Sequence, residues 1–161
     1  MNRYQMGVLL ILTVGAMWLM KNKKIHITAP RGVRANNPLN IEISAANNWR
    51  GKVTPSIDKR FETFEDSKYG FRAGAVLLRN YQTRNGLYTL SGIINRFAPP
   101  KENKTSNYAK FVGDRVGVGV NDSIDLQDSE TLARVLHAMA TMEVGHGYYS
   151  LDDARKGVAI A

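Results

Sequence analysis

The sequence predicts a mostly helical α+β domain with a small antiparallel sheet near its start, preceded by an N-terminal transmembrane helix. Three observations predict it. Residues 6–20 (MGVLLILTVGAMWLM) carry no charge. NIEIS at 40–44 and RFETF at 60–64 alternate apolar and polar residues, as a half-buried strand does. From residue 66 onward, apolar residues recur three and four apart in successive windows, the period of helices with one buried face.

The apolar run is short, since a span ordinarily needs about 20 apolar residues and at least ~17. Tyr4 and Gln5 can extend it into the interface, and Lys21, Lys23 and Lys24 can reach outward to water. A cleaved signal peptide has an apolar region of up to ~15 residues. Here, however, lysines come at once after the run and no small-x-small cleavage site does. An uncleaved anchor over residues 1–24 is therefore expected, and the lysine excess places the rest of the chain on the cytoplasmic side. Residues 25–35 read as a linker broken by Pro30 and Gly32. The main domain spans 36–149, and 150–161 form a short terminal helix or tail.

Within that domain ANNWRGK offers a turn between the two strands. Asp66 or Ser67 can cap a helix whose face is Tyr69, Ala73, Val76, Leu77 and Tyr81, ended by Gly86. Thr89 caps a second helix with Leu90, Ile93, Ile94 and Phe97, stopped by Pro99 and Pro100. A third carries Tyr108, Phe111 and Val112 before Gly117 and Gly119. Asp128 or Ser129 caps the last long helix, with Leu132, Val135, Leu136, Met139 and Ala140 on one face. Ser150, Asp152 and Asp153 open the terminal one.

Composition narrows the function. The 161 residues are 43% apolar and 22% charged, which excludes a wholly disordered chain. The lack of cysteine removes disulfides and thiolate metal sites. His26, His137 and His146 have no metal-ligand spacing, and GVGV at 117–120 lacks the residues of a phosphate loop. No metal or cofactor is expected. Of the net charge of +8, Arg3, Lys21, Lys23 and Lys24 supply half, leaving 18 basic residues against 14 acidic. That balance suits an acidic polymer or an anionic membrane. No basic stripe alternates with stacking aromatics, so nucleic acid is not an expected partner.

Glu143 is the leading chemical candidate. It continues the apolar face of Met139 and Ala140 in the last turn of its helix, before Gly145 and Gly147. Desolvation and the negative end of the helix dipole both raise its pKa, as a general acid requires. The competing reading is a buried Glu paired with an Arg to hold the fold.

The stretch Met142-Glu143-Val144-Gly145-His146-Gly147 resembles the E-S-G-W-G motif of lysozyme-like peptidoglycan enzymes, whose Glu protonates the glycosidic oxygen. In glucosaminidases and lytic transglycosylases an N-x-F-G-I strand, a W-x-G and an aromatic-rich strand come after that Glu. Similar segments here are Asn36 to Ile41, Trp49-Arg50-Gly51 and Phe61 to Phe64, but they precede Glu143. That order implies a circularly permuted lysozyme-like domain whose two ends meet in space.

The chain also resembles phage and prophage virion proteins and lysins with the pattern R-N-N-N-P-x-N-I, W-x-G, F-x-x-F, G-x-R-A and P-P-x-E-N-x-T-x-x-Y. The matching residues are Arg34 to Ile41, Gly70 to Ala73 and Pro99 to Tyr108, with departures at Ala35 and Leu39. The resemblance covers about residues 34–147. It implies a lytic transglycosylase or muramidase that cuts the peptidoglycan glycan strand with Glu143 as acid and base, during phage infection or host lysis. The enzyme would be anchored in a virion membrane or the host inner membrane, alongside other virion proteins. Packaging into a membrane-bearing virion would bring a cytoplasmic-facing domain to the wall upon infection.

Asn37, Asn40, Trp49, Tyr108 and Tyr148 are sugar-binding candidates, because amides bond hydroxyl and acetamido groups and aromatic faces stack on sugar rings. Trp49 equally suits packing under the hairpin, and Asn37 and Asn40 equally suit a turn at Pro38. His146 is placed to bond near Glu143, or to be an exposed turn residue. Glu62 is a candidate cleft residue or, with Glu65, a solvated edge acid; Glu102 is a candidate lid contact. Two other functions compete with glycan cleavage. One is a non-catalytic virion membrane protein that binds the wall. The other is a peptide-cleaving lysin, which lacks its expected metal-ligand or Cys/His set here.

Overall fold

The computed structural model describes residues 28–99 and 104–161. The chain divides into two compact units, residues 1–30 and 31–161. Among the described residues the second unit carries six helices: α1 (Arg31–Arg34), α2 (Ser67–Asn85), α3 (Leu90–Phe97), α4 (Lys104–Val116), α5 (Ser129–Val144) and α6 (Leu151–Ala159).

Four of these helices begin on a side-chain oxygen that accepts from an N–H of the first turn, groups that no intrahelical carbonyl reaches. Asp66 accepts from Lys68, Thr89 from Gly92 and Asp128 from Thr131. Ser150 and Asp153 form a reciprocal capping box at α6. Gly86, in the left-handed conformation, ends α2.

The strongly apolar α5 runs through the core, with Leu132, Ala133, Val135, Leu136, Ala138, Met139 and Ala140 buried. The other helices add to the same core: Phe71 and Leu78 from α2, Ile93 and Ile94 from α3, Val112 from α4, and Ala154 and Val158 from α6. Gln82 ties the segment before α5 to α2, donating to the Ile124 carbonyl at 2.6 Å and accepting from the Leu126 N–H at 2.9 Å.

The predicted sheet is not formed. Among the described residues there is no strand; the two stretches read as strands share one isolated antiparallel bridge, Glu42 with Phe61, and Phe64 bridges to Lys52 outside them. The alternation in NIEIS and RFETF is real, but the ladder stays short: the Ile43 N–H donates to the Arg60 carbonyl and the Glu62 N–H to the Ile41 carbonyl, each at 2.9 Å, and side chains add to them. Asn36 donates to the carbonyls of Phe64 and Glu65, and Asn37 to those of Ile41 and Glu62. Asn36 and Asn40 adopt left-handed backbone (φ 51° and 47°), which interrupts an extended run. The α+β, lysozyme-like expectation with its small sheet therefore gives way to an all-helical domain with a side-chain-pinned loop. The predicted transmembrane helix at 1–24 lies outside the described residues, among which no helix is long and apolar enough to cross a membrane.

That loop is seated on α2 at two glycines one turn apart. A Cβ on Gly70 would lie 2.5 Å from Pro38 Cδ and 2.6 Å from the Asn36 carbonyl oxygen. One on Gly74 would collide with Leu39 Cδ1. Gly70→Ala is therefore expected to lower unfolding stability in urea by about 2 kcal/mol through overpacking. Helix propensity alone would favour the alanine by about 1 kcal/mol. A variant as stable as wild type would show that the loop is not seated there.

Candidate active site

Glu143 sits in the final turn of α5, where Gly145 closes the helix through its N–H to the Thr141 carbonyl. Its carboxyl is met by residues from two other segments. Asn40, on the loop after α1, donates from Nδ2 to Glu143 Oε2 at 3.0 Å and to the Glu143 carbonyl at 3.4 Å. Tyr108, on α4, brings its hydroxyl close enough for phenol and carboxyl to influence one another, though not aligned as a hydrogen bond. These three side chains converge from positions far apart in sequence.

Asn40 is held from behind. Its Oδ1 is buried without a hydrogen-bond partner and rests against Gly32 of α1, where a Cβ would approach to 2.6 Å. The same Cβ would meet Val144 Cγ1 at 2.7 Å. Gly32 thus lets α1 press both on the amide and on the residue next to the acid. The left-handed backbone at Asn40, which Asn tolerates better than most residues, turns the amide toward α5.

The electrostatics follow from burial. Desolvation is the largest influence on the Glu143 carboxyl and raises its pKa above the ordinary glutamate range. Asn40 and Tyr108 pull the other way, because each stabilises the anion. Burial also pushes the Tyr108 phenol well above its usual value, and the neighbouring carboxylate adds to the rise. Because Asn40 donates to Oε2, that oxygen is kept as an acceptor, and the acidic proton falls to Oε1. Burial thus favours the protonated form of this carboxyl, and Asn40 holds its Oε2 as an acceptor.

Other candidates are placed differently. Asn37 is fully buried, and its amide is used within the loop: Nδ2 donates to the Ile41 and Glu62 carbonyls and Oδ1 accepts from the Ile41 N–H. The Glu62 side chain is fully buried rather than at a solvated edge, with Oε1 3.0 Å from Lys52 Nζ. Trp49 packs against the core with its indole N–H buried and unpartnered. His146, three residues beyond the acid, contacts Arg115 at 3.3 Å and the Phe111 ring edge-on. Tyr148 is 42% exposed beside Gly145. Glu65 is exposed, and Glu102 lies outside the described residues.

The structure also brings forward Gly32 and Arg115. Gly32 reads in the sequence as a break in a linker but lies buried within α1, and Arg115 shows only in repeating the helical face of Tyr108. The meeting of Asn40 and Glu143, 103 residues apart, joins the start and the end of the domain.

Fold and site together define a helical domain built around one half-buried carboxylic acid at a helix C-terminus. No family model matches the chain. It belongs to the family of Protein P5 of Pseudoalteromonas phage PM2, with which it is 40% identical over 131 residues, 80% of this chain and 80% of that protein. The relationship is to a phage protein whose name states no activity.

The sign of the pKa shift predicts a stability effect. The raised pKa means that, between the unfolded and folded values, the folded state holds the proton more tightly. Glu143's contribution is therefore complete below the ordinary glutamate pKa and is lost as pH rises through the folded value. Glu143→Gln should melt above wild type at pH 7.5, with the difference disappearing near pH 4. A variant melting below wild type at pH 7.5 would contradict a raised pKa.

Proposed function

We propose that the chain is a component of a phage particle whose helical domain cleaves the glycan strand of host peptidoglycan, with Glu143 as general acid and then base. The carrying observation is the Glu143 carboxyl, desolvated in the last turn of α5 and oriented by the Asn40 amide at 3.0 Å. The groups that meet it, an amide and a phenol, are neutral. A cationic partner would have held it ionised and inert as an acid.

In this reading Oε1 gives its proton to the glycosidic oxygen as the C1–O bond breaks. The resulting carboxylate then takes a proton from the nucleophile that closes on C1. Neither neighbour of Glu143 is a second acid, and Glu62 is sequestered against Lys52. That arrangement favours attack by the sugar's own C6 hydroxyl, which transfers its proton to Glu143 and leaves an anhydro end. Atoms balance without water. Tyr148, exposed beside the Gly145 turn, suits contact with a sugar ring.

A second reading has direct support from the family relationship, which speaks to phage origin and not to chemistry. The domain would serve as a structural virion protein that grips the wall or its particle neighbours without cutting. Peptidoglycan digests analysed by mass spectrometry separate the two. The enzyme should release fragments with anhydro ends, and Glu143→Gln should reduce release by at least about a hundredfold, the usual worth of acid–base catalysis. Reducing ends would indicate water as the nucleophile. Wall binding without release by the wild-type protein would leave the structural role.

A further inference from the structure

A second feature lies at the junction of α4, α5 and α6. A cavity of about 260 Å³ is lined by Arg115, Arg134, His137, Ala138 and Leu151. No acid lines it. Glu130, which also feels the Arg134 charge, forms a fork-to-fork pair with Arg155 at 2.9 and 2.7 Å, and Asp152 pairs with Lys156 at 3.0 Å.

Both guanidiniums are fixed by contacts that use only part of their donors. Arg134 donates one N–H to the Val116 carbonyl at 3.0 Å, at the end of α4. Arg115 lies over the Phe111 ring at 3.8 Å and donates to His146 Nε2 at 3.3 Å. A guanidinium has five N–H groups, so each arginine keeps several free. Among the described residues neither forms an ion pair. The Nε2 of His137 is 3.1 Å from the Tyr149 carbonyl, an acceptor, so that nitrogen carries a hydrogen and the ring orientation is set. Two exposed arginines, each tethered by one contact, and an oriented imidazole thus line one open cationic depression.

We propose that this cavity binds an oxyanion, a carboxylate or a phosphate. Arg115 and Arg134 are the ligand-contacting forks. The site is separate from the Glu143 carboxyl: Arg115 follows Tyr108 by seven residues on α4, a rise of about 10 Å. If the domain acts on the cell wall, the natural source is a carboxylate of the wall peptide. A phosphate-bearing polymer or free phosphate is the other.

Calorimetric titration of the full-length protein with inorganic phosphate, and separately with N-acetylmuramyl-L-alanyl-D-isoglutamine, tests the proposal. At least one probe should bind, and Arg115→Gln, melting as wild type does, should weaken it by about tenfold or more, the loss of one charge-assisted fork. Arg134→Lys, which keeps the charge and removes the fork, should weaken it less. Binding of the muramyl peptide, with competition by phosphate, supports the wall carboxylate; binding of phosphate alone supports the second source. Failure of both probes, or an affinity unchanged in Arg115→Gln, overturns the pocket. Glu143→Gln should bind as wild type does, so loss of the catalytic reading would leave this site standing.

Discussion

The candidate site depends on a close backbone approach that only side-chain-free residues allow. Residues 36–40 lie directly on α2 because Gly70 and Gly74 leave room for Pro38, the Asn36 carbonyl and Leu39. On the other side, Gly32 admits the Asn40 amide and Val144. With the loop clamped between these surfaces, Asn36 and Asn37 bond the carbonyls of Ile41, Glu62, Phe64 and Glu65, adding to the backbone bonds that join the same segments. Leu39, fully buried, anchors the loop to the core. Asn40 then has one direction left to face, toward the end of α5.

The two buried carboxylates of this region show why partners decide roles. Glu62 is taken completely out of water but meets the Lys52 ammonium, so its charge is compensated and the pair closes the loop. Removing one member would strand the other, the usual signature of a structural ion pair. Glu143 meets neutral donors only, and desolvation outweighs them. Perturbed groups of this kind concentrate at functional sites. The same polar atoms that fail to pair fully, Asn40 Oδ1 and the Tyr108 hydroxyl, surround that carboxyl.

Much of the helical framework is legible because it is written locally. Asp66, Thr89, Asp128 and Ser150 cap the helices that their positions before apolar runs predict, and Gly86 ends α2. Glu143 is legible as the position that continues an apolar face into the last turn. The sheet is not, because period-2 alternation reports which side chains are buried, not which groups take the backbone hydrogen bonds. Here a few backbone bonds join the stretches without extending into a strand, and side-chain amides take further carbonyls. The pairing of Asn40 with Glu143 spans most of the chain and has no local pattern. Glu62 reads as an edge acid because alternation cannot register a lysine ten residues upstream. The burial of Asn37 likewise comes from loop closure and not from its neighbours.

The most direct test of the central claim is a carbon-13 titration of the Glu143 side-chain carboxyl in the folded protein, with Glu143→Gln assigning the resonance. Its midpoint should lie above the ordinary glutamate range. Tyr108→Phe and Asn40→Ala should raise it further, since each removes a group that favours the anion. A midpoint at or below the ordinary range would mean that Glu143 is an ionised structural residue, and the acid chemistry assigned to it would fall.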